Sequence, residues 1–181
     1  MARPPLTVTR SELLTDGSDG EFRELVHALL AFQVRHEAIR DGHGAYIGLP
    51  GPQYTMLIAT HHLETQGDVT PRALAEHLHV SNPFITMETN KLLRAGLIVK
   101  TRDPLDARRI VLSTTALARR KLAALAPVQR KLNDLEFAQL SRADFKQLLR
   151  MVNALISNCD TVLAMQPELE PMEDHQNERA A

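Results

Sequence analysis

Apolar residues recur at helical spacing along most of the chain and alternate only in one short stretch. Phe22, Leu25, Val26, Leu29, Leu30 and Phe32 predict a first helix from about Asp19 to Asp41. Gly42, Gly44, Gly48, Pro50 and Gly51 interrupt the pattern and predict a mobile link. A second helix is expected from Pro52 to Gly67, carrying Tyr54, Leu57, Ile58, His61, His62 and Leu63. Thr70 is placed to cap a third helix, Pro71 to about Leu78, with a turn at His79–Val80. Ser81 is placed to cap a fourth, with Pro83 in its first turn, Ile85, Leu92 and Leu93 facing inward, and Gly96 at its end. Leu97–Thr101 and Arg109–Ser113 read as two strands joined by a loop from Arg102 to Arg108. A fifth helix is expected from Thr115 to about Leu140, bent at Pro127. Ser141 and Asp144 form a near capping box for a sixth, whose stripe from Phe145 through Leu148, Leu149, Val152, Leu155, Ile156, Cys159 and Val162 to Leu163 is coiled-coil-like.

The predicted fold is therefore mainly α with a small β-hairpin. Helix, tight turn, helix and basic hairpin over Val69–Thr115 make a winged helix-turn-helix. The expected organisation is a flexible arm over 1–18, a helical region over 19–51 and 115–165, a winged helix-turn-helix over 52–114, and a disordered acidic tail over 166–181. Aromatic residues are 4% of the chain and Trp is absent, so the core must be built from Leu, Ala, Val and Ile, which suits helices. The chain contains no apolar run long enough for a membrane span, and its N-terminus lacks the apolar core of a signal peptide. A single cysteine forms no intrachain disulfide and fits a reducing cytoplasm.

Charge sharpens this picture. The chain carries a formal net charge of −1, yet Thr70–Lys121 holds ten basic and four acidic residues. A basic middle inside a neutral chain is the electrostatic footprint of a nucleic-acid face. The expected DNA-contacting set begins with Thr70 and Arg72. It continues along the fourth helix with Ser81, Asn82, Pro83, Phe84, Thr86, Met87, Asn90 and Lys91. Asn can read adenine, and the Thr methyl can pack on thymine. Phe84 has packing on the wing or a neighbour as its competing role. In the wing, Asp106 is expected to orient an arginine fork, with Arg108 entering a narrow minor groove and Arg109 beside it. The motifs of phosphate-binding loops, dinucleotide folds, serine hydrolases and zinc proteases are missing, so neither enzyme activity nor a cofactor is expected.

Thr70, Leu74, Ala75, Val80, Ser81, Ile85, Thr86 and Leu92, the Gly96-Leu97-Ile98 step, and the Asp106-x-Arg108 wing followed by Leu112-Ser113 resemble the MarR family of bacterial transcription regulators. The resemblance spans Glu21 to Met165. It implies a homodimer joined through the first and last two helices. It also implies binding to a pseudo-palindromic double-stranded operator with half-sites about 10 bp apart, usually in repression. A small effector, often an aromatic or phenolic acid or its CoA thioester, is implied between the dimerisation helices and the winged helix. Two features depart from the family pattern: the wing closes on Leu112-Ser113-Thr114-Thr115-Ala116, and the fourth helix lacks a basic residue near Met87. Arg108 is thus expected to carry more of the DNA binding.

The segments that would line the effector pocket carry Arg35, His36, Arg40, His43, Tyr46, Leu57, Ile58, His61 and His62, where Arg and His suit a carboxylate or phenolate. A metal-responsive alternative would bring His36, His43, His61 and Glu64 together, although close His pairs at ligand spacing are missing. A winged helix serving only protein contacts is a further alternative, which would not need the basic wing.

Overall fold

The computed structural model describes residues 4–102, 106 and 108–165. The expected acidic tail lies outside the described residues, as do the first three residues of the arm and most of the wing tip. The elements are α1 (Gly20–Tyr46), α2 (Gly51–Leu63), α3 (Pro71–Leu78), α4 (Asn82–Arg94), β1 (Ile98–Arg102), β2 (Ile110–Thr114), α5 (Ala116–Glu136) and α6 (Arg142–Met165), preceded by a 3-10 turn at Ser11–Leu13. The chain forms two compact units, Met1–Lys131 and Leu132–Ala181. Among the described residues, no helix is long and apolar enough to cross a membrane.

The first unit is built on a core of Tyr54, Met56, Leu57, Leu74, Ile85, Leu92, Leu97, Ile98, Leu112 and Leu125, all essentially inaccessible to solvent. These side chains come from six elements and the α4–β1 turn, so burial couples α2, α3, α4, both strands of the hairpin and α5. Two buried threonines, Thr60 and Thr89, satisfy their hydroxyls by donating to the carbonyls of Met56 and Ile85, each at 2.7 Å.

The first helix runs past its expected end. Gly42 and Gly44 lie inside α1, because the helix packs there instead of breaking. A Cβ on Gly44 would lie 2.7 Å from the Leu49 carbonyl oxygen, so only glycine permits this approach. The helix ends in a Schellman motif at Gly48 (φ 76). There the Leu49 and Gly48 amides donate to the Gly44 and Ala45 carbonyls at 2.9 and 3.0 Å. The mobile link expected over 42–51 is thus reduced to a capped turn of a few residues. Ahead of α1, the arm is hooked onto Asp19, whose carboxylate accepts from the Thr7 amide at 2.8 Å and the Thr7 hydroxyl at 2.7 Å. Arg23 closes the hook by donating to Asp19 at 3.0 Å and to the Pro5 carbonyl at 2.6 Å.

Thr70 and Ser81 cap α3 and α4 by accepting from the amides of Ala73 and Phe84. His79 closes α3 in the left-handed region (φ 52). The hairpin pairs Ile98 with Thr114 through Arg102 with Ile110 in antiparallel register, one residue later on each strand than the sequence pattern suggests. Val69 adds a bridge to Leu112, its carbonyl accepting from the Leu112 amide at 2.8 Å. This bridge is invisible to local patterning because its partners lie far apart in the sequence.

In the second unit, Ser141 and Asp144 form the expected reciprocal cap. The Asp144 amide donates to the Ser141 hydroxyl at 3.2 Å, and the Ser141 amide donates to the Asp144 carboxylate at 3.1 Å. The Ser141 hydroxyl, donating to the Asp144 carboxylate at 2.6 Å, and then the Ser141 amide hold the Asp144 pKa below the usual carboxylate range. Beyond the cap, α6 exposes its whole apolar stripe, with Leu155 48% accessible.

Candidate nucleic-acid interface and effector cleft

The inward face of α4 is Ile85, Glu88, Thr89 and Leu92, which repeats at three and four residues. Leu93, expected inside, is exposed, because it falls about 100° around the helix from Leu92. Glu88 is buried by the same rotation and accepts from Lys91 Nζ at 2.7 Å. Burying a carboxylate is costly without such a partner. Lys91 is therefore engaged within α4, which weakens its expected role as a phosphate contact.

Ser81, Asn82, Pro83, Thr86 and Met87 are exposed, as expected of the N-terminal turns of a recognition helix. Phe84 is half-buried and packs against the core, so the structure favours its packing role over DNA contact. Asn90 is turned towards the hairpin: its Oδ1 accepts from Lys100 Nζ at 2.7 Å. Partial burial pushes the Lys100 pKa down. Thr70 is occupied as the α3 cap, and Arg72 is exposed in an ion pair with Glu76 at 2.7 Å.

Asp106 acts on backbone instead of on an arginine fork. Its Oδ1 accepts from the Arg108 amide at 3.0 Å, and its carbonyl accepts from the Arg109 amide at 2.9 Å. This folds the chain into a local turn of the kind that Asp side chains favour. Arg108 is exposed on that turn, whereas Arg109 pairs with Asp68 at 3.0 Å. The exposed start of α4 is thus polar, and the exposed turn at Arg108 is cationic.

A second feature lies on α1, α2 and α3. A cleft of about 490 Å³ is lined by Arg40, Thr55, Ile58, Ala59, His61, His62, Thr65, His77 and Leu78. Of the expected effector residues, Arg40, Ile58, His61 and His62 line it. Arg40 is held in place by its 3.0 Å bond to the Thr55 hydroxyl and by its position 5.4 Å from the centre of the Tyr54 ring. Burial raises the Tyr54 pKa, and its hydroxyl accepts from Gln129 at 3.1 Å.

The other five expected residues do not reach this cleft. Arg35 donates to the Ala31 carbonyl of its own helix at 2.9 Å. His36 stacks on Phe32, with ring centres 5.4 Å apart. His43 is buried edge-on to Tyr54, because the helix extends through it. Tyr46 is exposed, and Leu57 points into the core. His77, which sequence reasoning missed, comes from the last turn of α3 to lie 5.8 Å from the His62 ring. Only packing of α3 on α2 brings these rings together. Among the described residues, no group of three His, Cys, Asp or Glu side chains could hold a metal ion. Glu64, named for the metal alternative, instead binds Thr114.

Residues 47–109 match the MarR family model. No curated protein matches the chain by sequence. Among solved structures, a MarR family transcription regulator is 17% identical over 80% of this chain and 93% of its own, with a TM-score of 0.64. A mutant MarR from E. coli complexed with operator DNA is 14% identical over 75% of this chain and 95% of its own, with a TM-score of 0.62. The PcaV regulator of Streptomyces coelicolor, in complex with its natural ligand, is 22% identical over 72% and 90%, with a TM-score of 0.60. Over residues 47–109 the chain is thus similar to the MarR family of transcription regulators, and its fold as a whole is that of the winged-helix structures solved for that family.

Proposed function

We propose that this chain is a ligand-responsive transcriptional repressor that binds DNA as a homodimer and leaves its operator when a small aromatic or phenolic carboxylate fills the cleft of Arg40, His61, His62 and His77. The observation that carries the DNA reading is the exposed polar start of α4 together with the exposed Arg108, whose amide donates to Asp106. A fold shared with a regulator complexed with operator DNA supports it. Each protomer would offer α4 to a major groove and Arg108 to the adjoining minor groove, on half-sites about 10 bp apart.

The effector reading is supported by the composition of the cleft. One fixed guanidinium and three imidazoles beside Ile58, Ala59 and Leu78 suit an anion with an apolar body. The cleft joins α2 to α3, so a ligand there acts on the helix-turn-helix itself. It drives release only in so far as it binds the DNA-incompetent state better.

Two measurements test the proposal. A binding site is first selected from random double-stranded DNA, and affinity is then followed from 50 to 200 mM salt. A repressor making several phosphate contacts loses about a thousandfold or more over that range. A winged helix used for protein contacts selects no sequence. Thermal shift with 4-hydroxybenzoate, benzoate and their CoA thioesters tests the cleft, because a ligand of the folded state raises the midpoint. Arg40→Ala should abolish that rise.

A further inference from the structure

Glu64 stands just past the last residue of α2, where the helix dipole disfavours negative charge. Its partners explain the placement. Oε1 accepts from the Thr114 amide at 2.6 Å, and Oε2 accepts from the Thr114 hydroxyl at 2.6 Å. His61 Nδ1 lies 3.4 Å from the same Oε2. Thr114 is the last residue of β2, pairs with Ile98 and is 3% exposed. Arg119, in the first turn of α5, donates to the Thr114 carbonyl and approaches its hydroxyl at 3.3 Å. One carboxylate therefore joins a side chain that lines the cleft to the base of the wing.

We propose that Glu64 is a positioning residue that couples the cleft to the wing. The inference rests on the DNA-binding and effector reading above. Charge-assisted bonds to both a backbone amide and a hydroxyl grip β2 more firmly than neutral ones would. The grip ties the C-terminal end of α2 to the strand that leads back to Arg108. His61 shares the carboxylate, so an anion that draws the imidazole into the cleft removes a donor from Oε2. Any displacement of α2 that admits the ligand pulls on Thr114. Arg119 anchors the other side of Thr114, so the strain passes along β2 towards the wing turn.

The test uses the free full-length protein and its DNA complex. Amide hydrogen exchange is measured for wild type, His61→Ala, Glu64→Gln and the double variant. His61→Ala should change exchange at Thr114 and along β2 several-fold, and the same substitution should do nothing further in the Glu64→Gln background. Equal effects of His61→Ala in both backgrounds, or none in either, overturn the coupling. Glutamine preserves size and one acceptor, and an unchanged thermal midpoint confirms that the fold is intact. In the DNA arm, Glu64→Gln should weaken operator binding about tenfold, as coupling positions do, with an unaltered salt slope. Loss of about one unit of slope would mark Glu64 as affecting a phosphate contact directly and would also overturn the proposal. If the wild-type chain binds no DNA, the repressor reading fails, and the exchange arm still decides the coupling.

Discussion

The guanidinium of Arg109 lies 3.0 Å from the carboxylate of Asp68, the residue next to the Val69–Leu112 bridge. The two adjacent arginines of the wing are thereby divided in role. Arg109 fastens the wing to the segment that enters α3, while Arg108 is presented outward by the Asp106 turn. Arg108→Ala should cost operator binding about 1–3 kcal/mol and reduce the salt slope by about one. Arg109→Ala should cost less, since exposed ion pairs contribute about 0–1 kcal/mol, and Asp68→Asn should reproduce its effect. Fluorescence anisotropy over a salt series reads both. An Arg108→Ala protein that binds as wild type does would remove the wing from the interface.

The apolar stripe of α6 leaves Leu148, Leu149, Leu155, Val162 and Leu163 exposed. Contiguous apolar surface of this extent is typical of interaction sites, and the proposed homodimer would bury it. In the proposed homodimer, Leu155→Glu places a charge in that contact. Sedimentation equilibrium should then report monomers, whereas a dimer of unaltered affinity would place the interface elsewhere.

Two glycines of α1 separate packing from backbone freedom. Gly44→Ala forces a methyl to 2.7 Å from the Leu49 carbonyl oxygen and 3.0 Å from Tyr54 Cβ. It should destabilise the fold by about 1–3 kcal/mol. A methyl on Gly42 meets nothing within 4 Å, so Gly42→Ala should stabilise the helix by about 0.5–1 kcal/mol. Chemical denaturation of both variants checks the opposite signs.

Asp19 governs the hook at acid pH. Its bond from Arg23, followed by those from the Thr7 amide and hydroxyl, holds its pKa well below the carboxylate range. The unfolded value is about 3.9, so the hook contributes fully above that pH and is lost only as pH falls towards the depressed folded value. The Thr7 amide signal should stay protected at pH 4 and move only in stronger acid. Titration of Thr7 at an ordinary carboxylate pH would show that Asp19 does not hold it.

Much of the winged helix was legible locally. Thr70, Ser81 and Gly96 mark helix ends by chemistry that acts within a few residues, and the structure uses all three as read. Element ends set by packing were not legible. Gly42 and Gly44 read as breakers, yet α1 passes through them because Gly44 lets Leu49 and Tyr54 approach. Leu93 read as core, and the inward face instead includes Glu88, whose burial Lys91 makes tolerable.

The candidate sites divide in the same way. The cationic wing and the polar start of α4 are properties of contiguous sequence, and so they could be named in advance. The cleft is not contiguous: it needs α3 to bring His77 against His62, and α1 to supply Arg40. Sequence by itself determined which helices form, where they are capped and where positive charge collects, since those depend on neighbours along the chain. Only the tertiary structure decided which face of α4 is buried, which arginine of the wing is presented, which histidines share a cleft, and that Glu64 reaches Thr114. Those relationships depend on groups up to 50 residues apart, brought together by the shared core.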